Sequence, residues 1–216
     1  MTGSATLRAH DLTFGYRRNA APVFEAVDID FRAGALTALT GSSGSGKSTL
    51  LYVLATLLTP TRGQVLWDGS PTSTLTDGGR AQWRAQRTGF VFQDAMLDPS
   101  RTVLDNVCES ALFAGVPMKV AHRRAVELLE RLGVAHRVNH RPGEISGGQA
   151  QRVALCRALV TDPQVIFGDE PTGNLDETSA AVVWDTLRER AMAGATVIIA
   201  THDLRLAATA DEQVHL

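Results

Sequence analysis

The stretch GSSGSGKST, Gly41 to Thr49, constrains this chain more than any bulk property. It lies between an apolar run, Leu36 to Leu39, and a segment of helical period, Lys47 to Leu58, and it fits G-x-x-x-x-G-K-[ST] with Gly41, Gly46, Lys47 and Ser48 at the fixed positions. Glycines let such a loop wrap a phosphate without Cβ clashes, its N–H groups point inward, and the helix N-terminus adds a favourable potential for anions. Gly41, Ser42, Ser43, Gly44, Ser45, Gly46, Lys47, Ser48 and Thr49 are therefore expected to bind a nucleotide's phosphates. Lys47 bridges β- and γ-phosphates in this reading, and Ser48 holds Mg²⁺.

The rest of the chain alternates in the same way. Leu7 to Phe14 and the alternating Val27, Ile29 and Phe31 read as half-buried antiparallel strands. Short apolar runs at Leu36 to Leu39, Phe90 to Phe92, Val165 to Phe167 and Val197 to Ala200 read as buried central strands. Helical patterns fall at Lys47 to Leu58, Val103 to Phe113, Lys119 to Leu132, Gly147 to Val160 and Ser179 to Met192. The expected fold is α/β: a P-loop core with a mainly parallel sheet, an N-terminal antiparallel β subdomain and an inserted α-helical subdomain. Residues 1–93 and 163–216 form the core in this reading and residues 94–162 the helical lobe, all within one domain.

Two further elements carry chemistry. VIFGDE, Val165 to Glu170, is an apolar strand ending in two acids, at the edge where parallel sheets place ligands. Asp169 there can coordinate Mg²⁺ through water, and Glu170 can orient or deprotonate an attacking water. His202, after the strand Val197 to Ala200, reaches the same edge as a donor to a γ-phosphate. The second element is EISGGQAQR, Glu144 to Arg152, a Ser/Gly loop opening a helix. Unpaired N–H groups and the Ser146 hydroxyl make it a second anion cradle.

Composition narrows the partners. Among 216 residues, 21 Lys plus Arg stand against 23 Asp plus Glu, so no net field points to nucleic acid or an anionic membrane surface. The N-terminus lacks an apolar leader, and no apolar run is long enough to span a bilayer. A cytoplasmic location is expected. Cys108 and Cys156 are far apart without CxxC spacing and read as buried small hydrophobes.

Taken together, these residues resemble the ATPase subunit of an ABC transporter, over nearly the whole length. The motifs run in that family's order: Tyr16 of TFGY, the P-loop, Gln93 ending FVFQ, ISGGQ, FGDE, GNLD at Gly173 to Asp176, and His202. The resemblance implies ATP and Mg²⁺ as cofactors and a head-to-tail homodimer, in which Ser146, Gly147, Gly148 and Gln149 cap the γ-phosphate held by the other copy's Lys47. It further implies adenine stacking by Tyr16, Mg²⁺ sensing by Gln93 and a cross-dimer contact by Asp176. A strand-end Tyr is equally at home at a core edge. DGSPTSTLTDGGRAQWRAQRTGFVFQ and DEPTGNLD are similar to the branch of macrolide-efflux, lipoprotein-release and cell-division ATPases. That branch implies a separately encoded integral membrane permease, with this subunit peripheral on the inner face of the membrane.

Ile145 and Gly168 replace the more usual Leu and Ala of the family pattern, and DAMLDPSRTV departs from the branch where the permease is expected to dock. Val214 to Leu216 reads as the last strand, with no C-terminal regulatory domain expected. HRVNHRP, His136 to Pro142, fits no metal-ligand spacing, and Trp67, Trp83 and Trp184 read as packing residues. Two other functions are compatible with the motifs: a soluble ABC ATPase acting on DNA or ribosomes, and a catalytically silent module. The coiled-coil insertion, zinc module or tandem domains that the former implies do not fit these 216 residues, and the presence of Lys47, Asp169, Glu170 and His202 argues against the latter.

Overall fold

The apolar runs become the centre of a five-stranded parallel sheet. In the computed structural model, which describes residues 5–17 and 21–216, the elements are β1 (Ala5–Phe14), β2 (Phe24–Arg32), β3 (Leu36–Thr40), α1 (Lys47–Leu54), β4 (Arg62–Trp67), β5 (Ser70–Pro71), α2 (Asp77–Arg87) and β6 (Thr88–Val91). Then follow α3 (Val103–Phe113), α4 (Met118–Arg131), α5 (Gly147–Leu159), β7 (Val165–Asp169), α6 (Glu177–Met192), β8 (Thr196–Ala200), α7 (Leu204–Ala207) and β9 (Glu212–His215). Met1 to Ser4, part of the stretch read above for a leader, lie outside the described residues.

The parallel sheet has the order β6-β7-β8-β3-β9, and a second, antiparallel sheet has the order β2-β1-β4-β5. Every residue of β3, β7 and β8 is buried, because both faces of the parallel sheet are covered. Alternate residues feed two separate cores. Val165 and Phe167 of β7 and Ile198 of β8 pack with α1 (Leu50, Leu51, Leu54) and the antiparallel sheet (Leu7, Phe31). Ile166, Val197 and Ile199 pack on the opposite face with α6 (Val183, Trp184, Leu187) and with α3, α4 and α5 (Val107, Ala125, Val153). The helices of the 94–162 stretch therefore share a continuous core with the sheet face.

The end of the first helix and the 61–87 stretch differ from the sequence reading, and contacts distant along the chain account for both. The first helix stops at Leu54, because Thr56 takes a left-handed φ of 58° and Arg84 donates to both its carbonyl oxygen and its hydroxyl. β4, β5 and α2 went unread. The α2 sequence, DGGRAQWRAQR, carries two glycines in its first turn, so intrinsic propensity argues against a helix there. It is held by its Thr76 cap and by Trp83, which packs edge-on to buried Trp67 at 4.1 Å. Trp184 is buried too, and its indole donates to Thr209 Oγ1. Cys108 and Cys156 are both buried and unpaired, and burial pushes both thiols up.

Gly89 shows how closely α5 approaches the sheet. A Cβ at this position falls 2.3 Å from the carbonyl oxygen of Ala158 and 3.1 Å from Pro163 Cγ. Backbone has no slack to give there, so Gly89→Ala is expected to cost about 1 to 3 kcal/mol of unfolding free energy, read from urea denaturation.

Candidate active site

Because β6, β7, β8 and β3 are parallel, their carboxyl ends open onto one edge. This places the 41–46 loop, Gln93, Asp169 with Glu170, and His202 side by side. Gly41, Gly44 and Gly46 have φ values of 143°, 80° and 98°, which favour glycine. At Gly41 a Cβ falls 2.4 Å from Leu216 O, and at Gly46 it falls 2.8 Å from Val23 Cγ1. Ser42 and Ser43 are exposed, and Tyr16 lies two-thirds exposed above the loop with its hydroxyl 3.1 Å from Thr49 Oγ1. The Tyr16 ring also meets Phe14 edge-on at 5.0 Å, so one edge is packed while most of its surface faces solvent.

Lys47 is buried, and its Nζ donates to the carbonyls of Gly41 (3.1 Å) and Ser42 (3.0 Å). The ammonium is thereby held against the loop's own carbonyls. Ser48 Oγ donates to Asp169 Oδ1 at 2.7 Å, joining the start of α1 to the end of β7. Tyr52, one turn along α1 from Ser48, donates to Asp169 Oδ2 at 2.8 Å. Burial and then the bond to Asp169 push the Tyr52 phenol up to about 12, so it remains a donor at neutral pH. Tyr52 was missed in the sequence; the signal was a polar-tipped aromatic at i+4 from Ser48, on the same helix face.

Glu170 occupies a left-handed backbone conformation, φ 48°, with its N–H donating to Ala200 O. Its Oε2 lies 2.9 Å from His202 Nδ1 and accepts from the His202 N–H at 3.3 Å. His202 is thus engaged with Glu170 at this edge, with most of its ring exposed. Gln93 follows β6 and is exposed, its amide near Gly173.

Ser146, Gln149 and Asp176 commit their side chains to local helix caps instead of to this edge. Ser146 accepts from Gln149 N (3.2 Å) while Gln149 Oε1 accepts from Ser146 N (3.0 Å), a capping box that closes α5 on itself. No hydrogen bond among the described residues links Ser146 to Gln149 with the 41–49 loop. Gly148 has an internal reason to be glycine: a Cβ there falls 3.1 Å from Ser179 Oγ in the first turn of α6. Gly147 has none, because a Cβ would meet open space. Asp176 caps α6, accepting from Ser179 N at 2.9 Å and Ser179 Oγ at 2.8 Å.

Two side chains of α5 with no signature in the sequence hold the loop after β6. Gln151, buried, donates to Phe92 O (2.7 Å) and Pro171 O (3.1 Å). Arg157 donates to Ala95 O and Met96 O, both at 2.8 Å, bracketing Gln93 from the far side. Only packing reveals them.

Residues 24–173 match the ABC transporter family. The chain belongs to that family. It is 42% identical, over 99% of its length and 91% of the relative's, to the lipoprotein-releasing system ATP-binding protein LolD of Xanthomonas campestris pv. campestris. It is 44% identical to the LolD of Hydrogenovibrio crunogenus, over 97% and 93% of the two chains. Among solved structures, a bacterial ABC transporter cassette determined as a dimer superposes with a TM-score of 0.89 at 32% identity, covering 97% of this chain and 94% of that one. The same cassette in a post-hydrolysis state bound to ADP and Pi also scores 0.89.

As a member of the family, the cassette binds and hydrolyses ATP with Mg²⁺, and its residues fit that ligand. Ser45 Oγ is buried in the loop without a hydrogen-bond partner, a polar atom that a phosphate oxygen satisfies. The N-terminus of α1 has no side-chain cap and no acidic residue in its first turn, leaving its N–H groups and dipole for an anion. Ser48 and Asp169 present hard oxygens from one hydroxyl and one carboxylate, the sparse protein donor set that Mg²⁺ takes beside substrate phosphates.

The Asp176 cap yields a pH prediction. Hydrogen bonds from the Ser179 N–H and hydroxyl hold its carboxyl below the ordinary 3.8. A depressed native value contributes stability above pH 3.8 that is lost as pH falls through the lower, native value. Asp176→Asn keeps an acceptor but does not titrate. Urea midpoints of the two proteins are expected to differ by a constant amount near neutrality and to converge below pH 3.8.

Proposed function

We propose that the cassette works as a head-to-tail homodimer around two ATP molecules and drives a separately encoded integral membrane permease of the lipoprotein-releasing type, lying peripherally on the inner face of the membrane. The observation that carries this reading is the isolation of the ISGGQ loop. Its first-turn N–H groups are rigidly presented by the Ser146 capping box, Gly147 is bare without any intrachain reason, and the loop makes no hydrogen bond to its own P-loop among the described residues. A second copy supplies what the loop lacks.

In this reading each P-loop binds ATP from one side, with Lys47 bridging the phosphates and Tyr16 covering the base. Ser146 to Gln149 of the other copy close over the γ-phosphate. Triphosphate charge is then neutralised from both sides and water is excluded. Mg²⁺ would supply charge neutralisation at the phosphates, and Ser48, Asp169 and Gln93 would hold it. Glu170 orients the attacking water and accepts its proton, and His202, already touching Glu170, fixes the geometry around the γ-phosphate. Asp176, at the start of α6 beside Gly148, joins the two composite sites.

For the permease, the supporting feature is an apolar groove of about 570 Å³ between α2, β6 and α3, lined by Leu57, Ala85, Phe90, Phe92 and Phe113. Phe113 is 71% exposed at its rim, a cost in water that a docked helix removes. The groove adjoins Gln93, so a segment seated there sits next to the ATP edge. No helix among the described residues is long and apolar enough to cross a membrane, so the spanning part belongs to another chain in this proposal.

The test uses Glu170→Gln, which binds ATP and hydrolyses it slowly, with mass measured by light scattering. ATP is expected to convert monomer to dimer, and adding Gly147→Val is expected to abolish the dimer while leaving ATP binding intact. A dimer that forms equally well with Gly147→Val contradicts the composite site.

A further inference from the structure

Asp169 is the one carboxylate at the ATP edge with both oxygens claimed by hydroxyls of a single helix. Oδ1 accepts from Ser48 and Oδ2 from Tyr52, at 2.7 and 2.8 Å, and the two donors sit one turn apart on α1. We propose that Tyr52 is a positioning residue for the metal-binding carboxylate: its hydroxyl fixes the rotation of Asp169 so that Oδ1, beside Ser48, is the oxygen presented to Mg²⁺. The inference rests on the reading of Asp169 as a Mg²⁺-binding group.

The ring is held well enough for this task. It lies tilted against Phe90 with ring centroids 5.7 Å apart, and Phe90 stacks with Phe92 at 4.3 Å and with Phe167 at 5.9 Å. Its carbonyl accepts from both Leu57 and Leu58 N–H groups, which fixes the backbone at the end of α1. A donor whose rotamer is set by packing delivers its hydrogen bond without further ordering. Asp169 is itself buried, so loss of the Tyr52 hydroxyl leaves Oδ2 without a protein donor and the carboxylate free to turn. Ser48 alone constrains one oxygen and not the plane of the group. Partners that orient a ligating carboxylate in this way change metal affinity by roughly 10- to 100-fold when removed.

The same stack leads onward to function. Phe92 immediately precedes Gln93, so Asp169 and the start of the Gln93 loop are referenced to one aromatic cluster. A tyrosine that served packing alone needs its ring and not its hydroxyl, and Tyr52→Phe separates the two.

The experiment takes the full chain with Glu170→Gln and measures, at fixed ATP, the Mg²⁺ concentration giving half the ATP-induced thermal stabilisation. Tyr52→Phe and Asp169→Asn are compared with the parent, with ATP binding in EDTA and melting without nucleotide as references. Tyr52→Phe is expected to need roughly 10- to 100-fold more Mg²⁺ with both references unchanged. An unchanged Mg²⁺ midpoint in Tyr52→Phe, while Asp169→Asn shifts it, overturns the inference alone. Parallel loss of ATP binding in EDTA assigns the hydroxyl to structure and also overturns it. If Asp169→Asn leaves the midpoint unmoved, the Asp169 reading itself falls.

Discussion

Two hydroxyls of α1 donating to the carboxylate of Asp169 tie the helix that follows the phosphate loop to the central strand β7. Much of the site depends on that junction. It sets the height of the loop above the sheet edge, and it places Glu170 one residue beyond, in a left-handed turn whose side chain reaches His202. Because β7 lies between β6 and β8 in a parallel sheet, the same registration fixes Gln93 on one side and His202 on the other. Long-range contacts thus converge on a group that is nearly out of water, where a misplaced charge is expensive and a well-placed one is strongly felt.

The two anion cradles are built differently, and the difference has functional content. At α1 no side chain caps the helix, Gly46 enters it in a left-handed conformation, and the lysine ammonium rests on the loop carbonyls. At α5 the cap is complete within the chain, through Ser146 and Gln149. The first design favours capture of a phosphate by a loop that has much to gain from it. The second is a preformed, rigid surface whose shape is independent of the nucleotide, suited to closing on a ligand already held by another copy. Gln151 and Arg157 of α5 carry that rigidity back to the loop around Gln93, so α5 touches the neighbourhood of both sites.

The chemistry-bearing strands were legible because strands buried on both faces must be continuously apolar, and the P-loop, FGDE and THD each follow such a run. The chain between Thr61 and Arg87 was not. β4 shows only weak alternation, and the helix DGGRAQWRAQR owes its existence to tertiary contacts, Trp83 on Trp67 and Arg84 on Thr56, which have no local signature. Thr56 also explains the overrun of α1: nothing in LLYVLATLL signals a left-handed residue, and the conformation is held by an arginine 28 positions away. Gly168 illustrates a subtler limit. Its departure from the family's usual alanine reads as minor, yet a Cβ there comes within 2.6 Å of Ile199 Cδ1, so an alanine requires the tip of that side chain to shift.

The central claim is that each ATP is enclosed by two different copies, and mixing two defective chains tests it most directly. In the Glu170→Gln background, Lys47→Ala removes the phosphate lysine from one chain and Ser146→Phe blocks the signature loop of the other. Neither chain alone is expected to dimerise with ATP. Combined, they leave one intact site, made from the P-loop of the Ser146→Phe chain and the signature of the Lys47→Ala chain, so ATP is expected to yield a two-chain complex containing one of each. A mixture that stays monomeric with ATP, under conditions where the chain carrying only Glu170→Gln dimerises, contradicts the account.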